Sequence, residues 1–392
     1  MSKSEKIAAN NIPLSEPLIS GNEWRYIKEC LDTGWVSSVG GYVTRFEEAV
    51  ARYVGAKYAV AVVNGTAALH VSLLACGVKP ADEVIVPTLT FIAPVNTVRY
   101  CGAEPIFMDC DPATLGMDTT KLAEFINEHT VFKDDGYTYN NNTGKRIKAI
   151  IPVHVFGHPV DMDPLLKICT ERNINVIEDA TESLGSLYNN RYTATLGTIG
   201  CFSFNGNKII TTGGGGMIVT DHEDLAKEIR HLSTQAKKDP FEFDHDEIGY
   251  NYRLTNVQAA MGVAQMEKID EFITKKRENA ALYKKLLLNF DGVELIWEKP
   301  WAKSNFWFYT IKVAQQHKQP LIDHFLARGI QVRPVWRLMH TLSMYANCQT
   351  YRLESACEIY SRCINIPCSV SLKKEDIQLV SNKIKDYFVN KS

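Results

Sequence analysis

Between residues 20 and 220 short apolar runs alternate with helical patterns, and that alternation limits the possible folds more than any other feature. The runs are 58–63 (YAVAVV), 83–86, 105–108, 147–153, 175–178, 199–204 and 216–220. Several are apolar throughout rather than at every second position, as expected of strands buried on both faces. Helical patterns precede and separate them at 22–31, 43–53, 66–75, 92–100, 120–128 and 164–172, with Gly34, Gly55 and Gly77 just past three of the ends. Strand and helix in turn on this scale predict an α/β fold with a largely parallel sheet and helices on both faces.

The character changes after residue 221. A helix is expected over 223–232, then a long polar and aromatic loop over 233–253, with DPFEFDHDEIGYNYR at its heart. Loops of that length inside a compact domain are usually functional or at an interface. A long helical stretch over 256–289 follows, then strands near 293–297, 307–313 and 330–335, and helices at 320–327, 355–360 and 374–389. Residues 133–146 (KDDGYTYNNNTGKR) read as an exposed hairpin or loop. The expected division is a large α/β domain over 1–259 and a smaller α+β domain over 260–392.

Composition removes several classes. The chain has 392 residues, 45% apolar and 22% charged, with a net charge of −2. Such a chain buries a core without staples, and no charge excess drives it to nucleic acid or anionic lipid. No run approaches the roughly 20 apolar residues of a membrane span, and the start MSKSEKIAANNIPLSEP lacks a leader-like apolar core. The ten cysteines are scattered, with no C-x-x-C pair and no zinc spacing. They read as reduced thiols of a cytoplasmic protein, with no metal site.

Four local features carry chemistry. Asn64-Gly65-Thr66 lies between a strand and a helix. It is either a phosphate cradle of free N–H groups or a plain turn with Thr66 as N-cap. Glu178-Asp179 closes an apolar strand where α/β proteins bind ligands; a carboxylate there holds a metal, a ribose or a protonated ring nitrogen, or caps a helix. Cys201-Phe202-Ser203-Phe204-Asn205-Gly206-Asn207-Lys208 leads from a strand into a lone lysine. Burial would make that amine nucleophilic, and exposure would leave it an ordinary surface group. The run Gly213–Gly216 follows. Gly249-Tyr250-Asn251-Tyr252-Arg253 is an interface anchor or a solvated loop. Taken together, Gly65 and Thr66 offer phosphate N–H groups, Ser203 and Asn205 further phosphate partners, Asp179 a partner for a pyridinium and Lys208 a Schiff-base amine. That set is the signature of a pyridoxal phosphate enzyme.

In order along the chain stand NGTAALH (64–70), PTLTFIA (87–93), PVHVFGHPVDM (152–162), IEDATESLGS (177–186), CFSFNGNK (201–208), GYNYRLTNVQAA (249–260) and INIP (364–367). In these motifs the chain resembles the DegT/DnrJ/EryC1/StrS sugar aminotransferases, of the aspartate-aminotransferase fold (fold type I), over nearly its whole length. The resemblance implies pyridoxal 5'-phosphate as cofactor, with Lys208 as the Schiff-base lysine and Asp179 paired to the ring nitrogen. It implies phosphate contacts from Gly65, Thr66 and Ser203, and Phe91 stacked on the ring. Asn251 would reach the same phosphate from a partner subunit, so a homodimer with shared sites is implied. His340, in RPVWRLMH, matches a position near the substrate. Trp35 and Tyr250 are candidates for stacking on the nucleotide base.

Two positions depart from the commoner pattern. Glu182 stands where many members carry a Gln that donates to the cofactor's phenolic oxygen. An ionised Glu cannot donate, so Glu182 either carries a proton or contacts something else. Gly214 replaces a Glu. Lys208 itself, where dehydratase relatives have His, favours transamination. The runs 21–40 and 204–220 bring the chain nearest to members acting on UDP-linked 4-keto-6-deoxy-N-acetylhexosamines, in bacillosamine or legionaminic acid pathways. Glutamate would donate the amine and 2-oxoglutarate would leave. Other substrates implied are a GDP-linked 4-keto sugar or a nucleotide-linked 3-keto sugar. A regulatory protein that binds the cofactor without turnover is the contrasting reading.

Overall fold

The computed structural model describes residues 11–239 and 241–389, so most of the start MSKSEKIAANNIPLSEP lies outside the described residues. Its centre is an eight-stranded sheet. The strand order is Tyr58–Val62, Gly216–Thr220, Ile199–Ser203, Asn175–Asp179, Ile147–Ile150, Glu83–Pro87, Glu104–Met108 and Thr350–Tyr351. Gly216–Thr220 runs antiparallel to both neighbours, and every other pairing is parallel.

The apolar runs explain this sheet. Successive side chains of a strand point to opposite faces. Val84, Val86, Phe107, Ala149, Ile151 and Ile177 pack into one core, whereas Ile85, Ile106, Met108, Ile150 and Val176 pack into a second. Helices Gly65–Ala75 and Ile92–Tyr100 fill the first through Leu69, Val71, Val95 and Val98. Helices Thr119–His129 and Met162–Glu171 fill the second through Leu122, Phe125 and Leu165. Strands read as uniformly apolar are therefore strands covered on both sides.

A four-stranded antiparallel sheet follows, in the order Val293–Leu295, Tyr309–Val313, Cys363–Ile366, Arg333–Pro334. Helices Ile269–Leu287, Gln315–Leu326 and Lys374–Val389 supply Phe272, Tyr283, Phe325 and Ile377 to its core. The chain passes between the two sheets more than once. Ile12 bridges to Ile330 beside the smaller sheet. Thr350–Tyr351 returns to extend the larger one, and Asp109 then accepts the N–H groups of Ser355 and Ala356 at the start of helix Glu354–Arg362.

Several expected elements differ. The stretch 256–289 is two helices, Asn256–Met266 and Ile269–Leu287. The first presents small buried residues (Ala259, Ala260, Ala264) to the helices Glu23–Thr33 and Gly41–Val54, and the second turns larger ones toward helix Lys374–Val389. The loop 233–253 contains a short hairpin, Lys237–Asp239 with Asp244–His245. Of 330–335 only Arg333–Pro334 is a strand, and of 307–313 only Tyr309–Val313; ahead of it the Trp307 N–H goes to Asn305 Oδ1 and the Phe308 N–H to the Phe156 carbonyl instead of to a neighbouring strand. All ten cysteines are unpaired. No helix among the described residues is long and apolar enough to cross a membrane.

Candidate active site

Topology brings the sequence motifs together. Strands Tyr58–Val62, Ile199–Ser203 and Asn175–Asp179 all run antiparallel or parallel so that their C-terminal ends share one edge of the sheet. Gly216–Thr220, between the first two, starts at that edge. Asn64-Gly65-Thr66, Asp179, Ser203 and Gly214-Gly215 therefore meet there, and all line a cleft of about 310 Å³. Phe91, Glu182, Asn205, Asn207, Lys208, Trp307, Phe308 and Trp336 complete its walls.

The helix Gly65–Ala75 is capped by Asn64, whose Oδ1 accepts the Ala67 N–H at 2.7 Å; the cap is not Thr66. The amides of Gly65 and Thr66 open the helix and have no intrahelical acceptor. A Cβ at Gly65 would lie 2.9 Å from Ser203 Cβ and 3.0 Å from Thr181 Cγ2. Glycine is what lets the helix start press against the strand ends. This is a cradle for an anion such as phosphate.

The two strand-end carboxylates face opposite ways. Glu178 is fully buried; Oε1 accepts the N–H groups of Leu196 and Gly197 and Oε2 that of Ala194, while His154 Nε2 lies 3.0 Å from Oε2. It braces the 194–197 turn and takes no part in the cleft. Asp179 faces the cleft, its Oδ1 accepting the Thr181 N–H at 3.1 Å. Burial raises its pKa, against the pull of that hydrogen bond and of the Lys208 charge. A buried carboxylate facing an open cleft suits a cationic partner such as a pyridinium nitrogen.

Lys208 follows a turn in which its N–H reaches the Asn205 carbonyl. Its Nζ lies 3.6 Å from Glu182 Oε1 and 3.8 Å from the Trp307 ring centroid. Burial lowers the pKa of this amine, and the charges of Glu182 and Asp179 oppose the shift. The amine is thus drawn toward its neutral, nucleophilic form. Glu182 accepts the Phe156 N–H through Oε2 at 2.8 Å and turns Oε1 to the lysine. Burial raises its pKa to about 7, with Lys208 pulling the other way. The carboxyl departs from the Gln pattern by contacting the lysine and a backbone amide.

Ser203 Oγ lines the cleft and accepts the Asn205 N–H at 3.4 Å, while Asn205 itself is exposed. Phe91 stands at the mouth, 54% exposed, with its ring 6.3 Å from that of Trp336. In place of a glutamate contact at 214, the Gly214 carbonyl accepts Gln258 Nε2 at 2.9 Å.

Four sequence candidates lie elsewhere in this chain. Trp35 is 57% exposed in a separate groove with Tyr42 and Arg45. Tyr250 stacks on Tyr252, ring centroids 5.1 Å apart, and meets His70 edge-on. Asn251 is exposed and bridges to Thr234. His340 Nδ1 is 2.7 Å from Thr88 Oγ1, and burial lowers its pKa. None of the four lines the cleft of its own chain. Conversely, Trp307, Phe308 and Trp336 line the cleft and were not singled out. The expected strand 307–313 takes in Trp307-Phe308-Tyr309, although three successive aromatics break the alternation a half-buried strand shows.

The DegT/DnrJ/EryC1/StrS aminotransferase family matches over residues 17–385. The GDP-perosamine synthase of Escherichia coli O157:H7 is 39% identical over 382 residues, covering 97% of this chain and 99% of that protein. The GDP-perosamine synthase of Caulobacter vibrioides is also 39% identical, covering 94% and 96%. Among solved structures, the Helicobacter pylori aminotransferase PseC, involved in the biosynthesis of pseudoaminic acid, superposes with a TM-score of 0.87 at 25% identity, over 97% of this chain and 100% of that one.

Proposed function

This chain belongs to the DegT/DnrJ/EryC1/StrS aminotransferase family and is a pyridoxal phosphate-dependent sugar aminotransferase, and on that premise we propose its substrate and the roles of its residues. The acceptor is a nucleotide-linked 4-keto-6-deoxy sugar, and the donor is glutamate. A GDP-linked acceptor stands ahead of the UDP-linked N-acetylhexosamine suggested by residues 21–40 and 204–220. The support is the 39% identity, over nearly full length, to proteins named GDP-perosamine synthase.

The observation that carries the residue roles is the largely buried Lys208 side chain, 12% exposed, whose amine faces the same cleft as Asp179 and the start of helix Gly65–Ala75. When bound, the cofactor supplies an electron sink for the carbon next to the transferred amine. Gly65 and Thr66 N–H groups and the Ser203 hydroxyl bind its phosphate. Asp179 holds the ring nitrogen protonated, which compensates the cost of burying the carboxylate. Lys208 Nζ takes a proton from the donor's carbon and returns it, as general base and then acid. Phe91, Phe308 and Trp336 orient the ring and substrate and keep water out. Asn251, outside the cleft of its own chain, acts in the site of a second copy, so the working unit is a homodimer. The unpaired cysteines suit the reducing cytoplasm.

The test is the visible spectrum of the purified protein before and after glutamate, followed by amine transfer to a panel of GDP- and UDP-linked keto sugars. A yellow band that bleaches with glutamate, and turnover fastest with a GDP-linked 4-keto sugar, are expected. Turnover confined to UDP-linked acceptors would overturn the nucleotide assignment. A colourless protein that takes up no pyridoxal phosphate would overturn the residue roles.

A further inference from the structure

Two groups from different parts of the chain reach the Lys208 amine. Glu182 comes from the turn after strand Asn175–Asp179, and Trp307 from the segment that leads into the smaller sheet. Each is held on its far side. Glu182 Oε2 accepts the Phe156 N–H at 2.8 Å, which leaves Oε1 for the lysine. Trp307 Nε1 donates to the carbonyl of Asn207, the residue before Lys208, at 2.7 Å. A single buried amide keys the two together. Asn305 Nδ2 donates to the carbonyls of Glu182 (3.0 Å) and Leu184 (2.9 Å), and its Oδ1 accepts the Trp307 N–H at 2.9 Å. Gly157, at φ +92°, makes room for it, since a Cβ there would sit 2.0 Å from Asn305 Oδ1.

We propose that Trp307 and Glu182 form a cradle for the Lys208 ammonium, locked by Asn305, that parks the amine whenever it is not bonded to another group. The inference rests on the reading of Lys208 as the reactive amine. The distances say what kind of cradle it is. Nζ is 3.6 Å from the carboxylate and 3.8 Å from the ring centroid. A charge-assisted hydrogen bond would be about 2.7–2.9 Å. The π face attracts the cation electrostatically and adds no second full charge to trap it. The charged groups acting on the amine are Glu182 and Asp179, while the Trp307 segment contributes a neutral face. Burial alone would favour the neutral amine. The cradle restores part of the charged form, so the amine can both hold a proton and give it up. Trp307, Glu182 and Asn305 are in this sense positioning residues.

The experiment uses cofactor-stripped full-length protein, so it does not depend on any sugar. Lys208 is acylated with a succinimidyl ester at a series of pH values, and its peptide is quantified by mass spectrometry. Access alters the rate at every pH alike, so the midpoint of the pH dependence is read. Trp307→Leu and Glu182→Gln should both move the midpoint down, raising the neutral fraction at pH 7 by about threefold and about tenfold respectively. Trp307→Phe, which keeps a ring face, should return most of the wild-type midpoint. Should Trp307→Leu not fold, Asn305→Ala frees the Trp307 segment without cutting the ring, and it too should lower the midpoint. Midpoints that match wild type in Glu182→Gln and in either Trp307→Leu or Asn305→Ala would overturn the cradle. Failure of the wild-type protein to take up pyridoxal phosphate would instead count against the enzymatic roles and leave these midpoints readable.

Discussion

Glu178 and Asp179 are adjacent carboxylates at one strand end, and their amide variants should fail in opposite ways. Glu178 accepts three backbone N–H groups and faces His154 Nε2, all inside the protein. In Glu178→Gln one oxygen keeps Leu196 and Gly197, but the new NH2 meets the Ala194 N–H, donor against donor. One buried amide is left unpaired, and the remaining bonds lose their charge assistance. A buried unpaired group costs about 1–3 kcal/mol. At about 2 °C per kcal/mol for a chain of this size, the melting temperature should fall by ~2–6 °C. Asp179→Asn keeps an oxygen for the Thr181 N–H and removes the cost of a buried charge. The cofactor-free protein should melt within about 1 °C of wild type, or above it, while transamination falls by ~10²–10³-fold as the electrostatic support is removed. Thermal unfolding of the cofactor-free proteins and single-turnover rates with glutamate read the two effects separately. A Glu178→Gln protein as stable as wild type, or an Asp179→Asn protein that melts as early as Glu178→Gln, would refute the division of labour.

Three further outcomes follow from the geometry. Gly65→Ala should strain the cradle by about 1–3 kcal/mol, since its Cβ lands within 3.0 Å of two side chains. The affinity for pyridoxal phosphate, measured by fluorescence titration, should then drop roughly tenfold or more, and wild-type affinity would remove the phosphate role of this helix start. Glu182, with a pKa raised to about 7 by burial, keeps a proton in the folded protein that the unfolded chain releases above about 4.5. The folded state binds more protons over that window, so this group makes stability fall as pH rises from about 4.5 to 7. His158, lowered to about 4 by burial, acts in the opposite sense, so the quantity to read is the difference between wild type and Glu182→Gln. The variant's unfolding curve should be the flatter of the pair on its downward limb, and parallel pH profiles would contradict the buried carboxyl. Asp109→Ala removes the acceptor for two N–H groups at the start of helix Glu354–Arg362 and the partner of Lys121. It should cost about 2–4 kcal/mol in denaturant unfolding, and a loss under 1 kcal/mol would show that Thr350–Tyr351 and its helix are not held through Asp109.

The larger sheet was legible because burial on both faces leaves a compositional mark. Runs such as 58–63 have no polar side to hide, and the glycines behind the helices mark where each one stops. The cleft was legible for a related reason. Residues at the ends of successive strands must converge when those strands share a direction, so Gly65, Asp179, Ser203 and Lys208 follow from order along the chain plus topology. What the sequence did not disclose was contact across long separations. Asn256 to Asn289 is one helical pattern to any local reading, and only packing against different neighbours breaks it at Glu267 and Lys268. Thr350–Tyr351 is two residues long, and nothing local distinguishes it from loop. Asn251 and His340 stand out by likeness to a family pattern, and Trp35 and Tyr250 only as aromatics able to stack on a base. Both signals give a residue type or a place in a motif, and neither discloses what packs around that residue within its own chain.

The aromatic wall shows why that last gap matters for chemistry. Trp307 stands almost a hundred residues beyond Lys208, at the entry to a different sheet, yet its indole N–H is fixed by the carbonyl next to the lysine. The smaller sheet is therefore not an appendage that merely covers the cleft. Asn305 bonds the backbone at Glu182 and Leu184, Ser304 Oγ bonds the Gly157 carbonyl, and Ser186 Oγ receives the Asn305 N–H. These are buried polar contacts, each of which leaves an unpaired group if the two parts separate. A displacement of the 304–308 segment would withdraw the Trp307 face and loosen Glu182 in one movement. The protonation of Lys208 is thereby tied to how the two sheets sit against each other, which no motif around the lysine encodes. Substitutions at Asn305 should accordingly disturb the lysine more than substitutions at cleft residues nearer in sequence, such as Asn205, which is exposed and touches neither Glu182 nor Trp307 in any hydrogen bond.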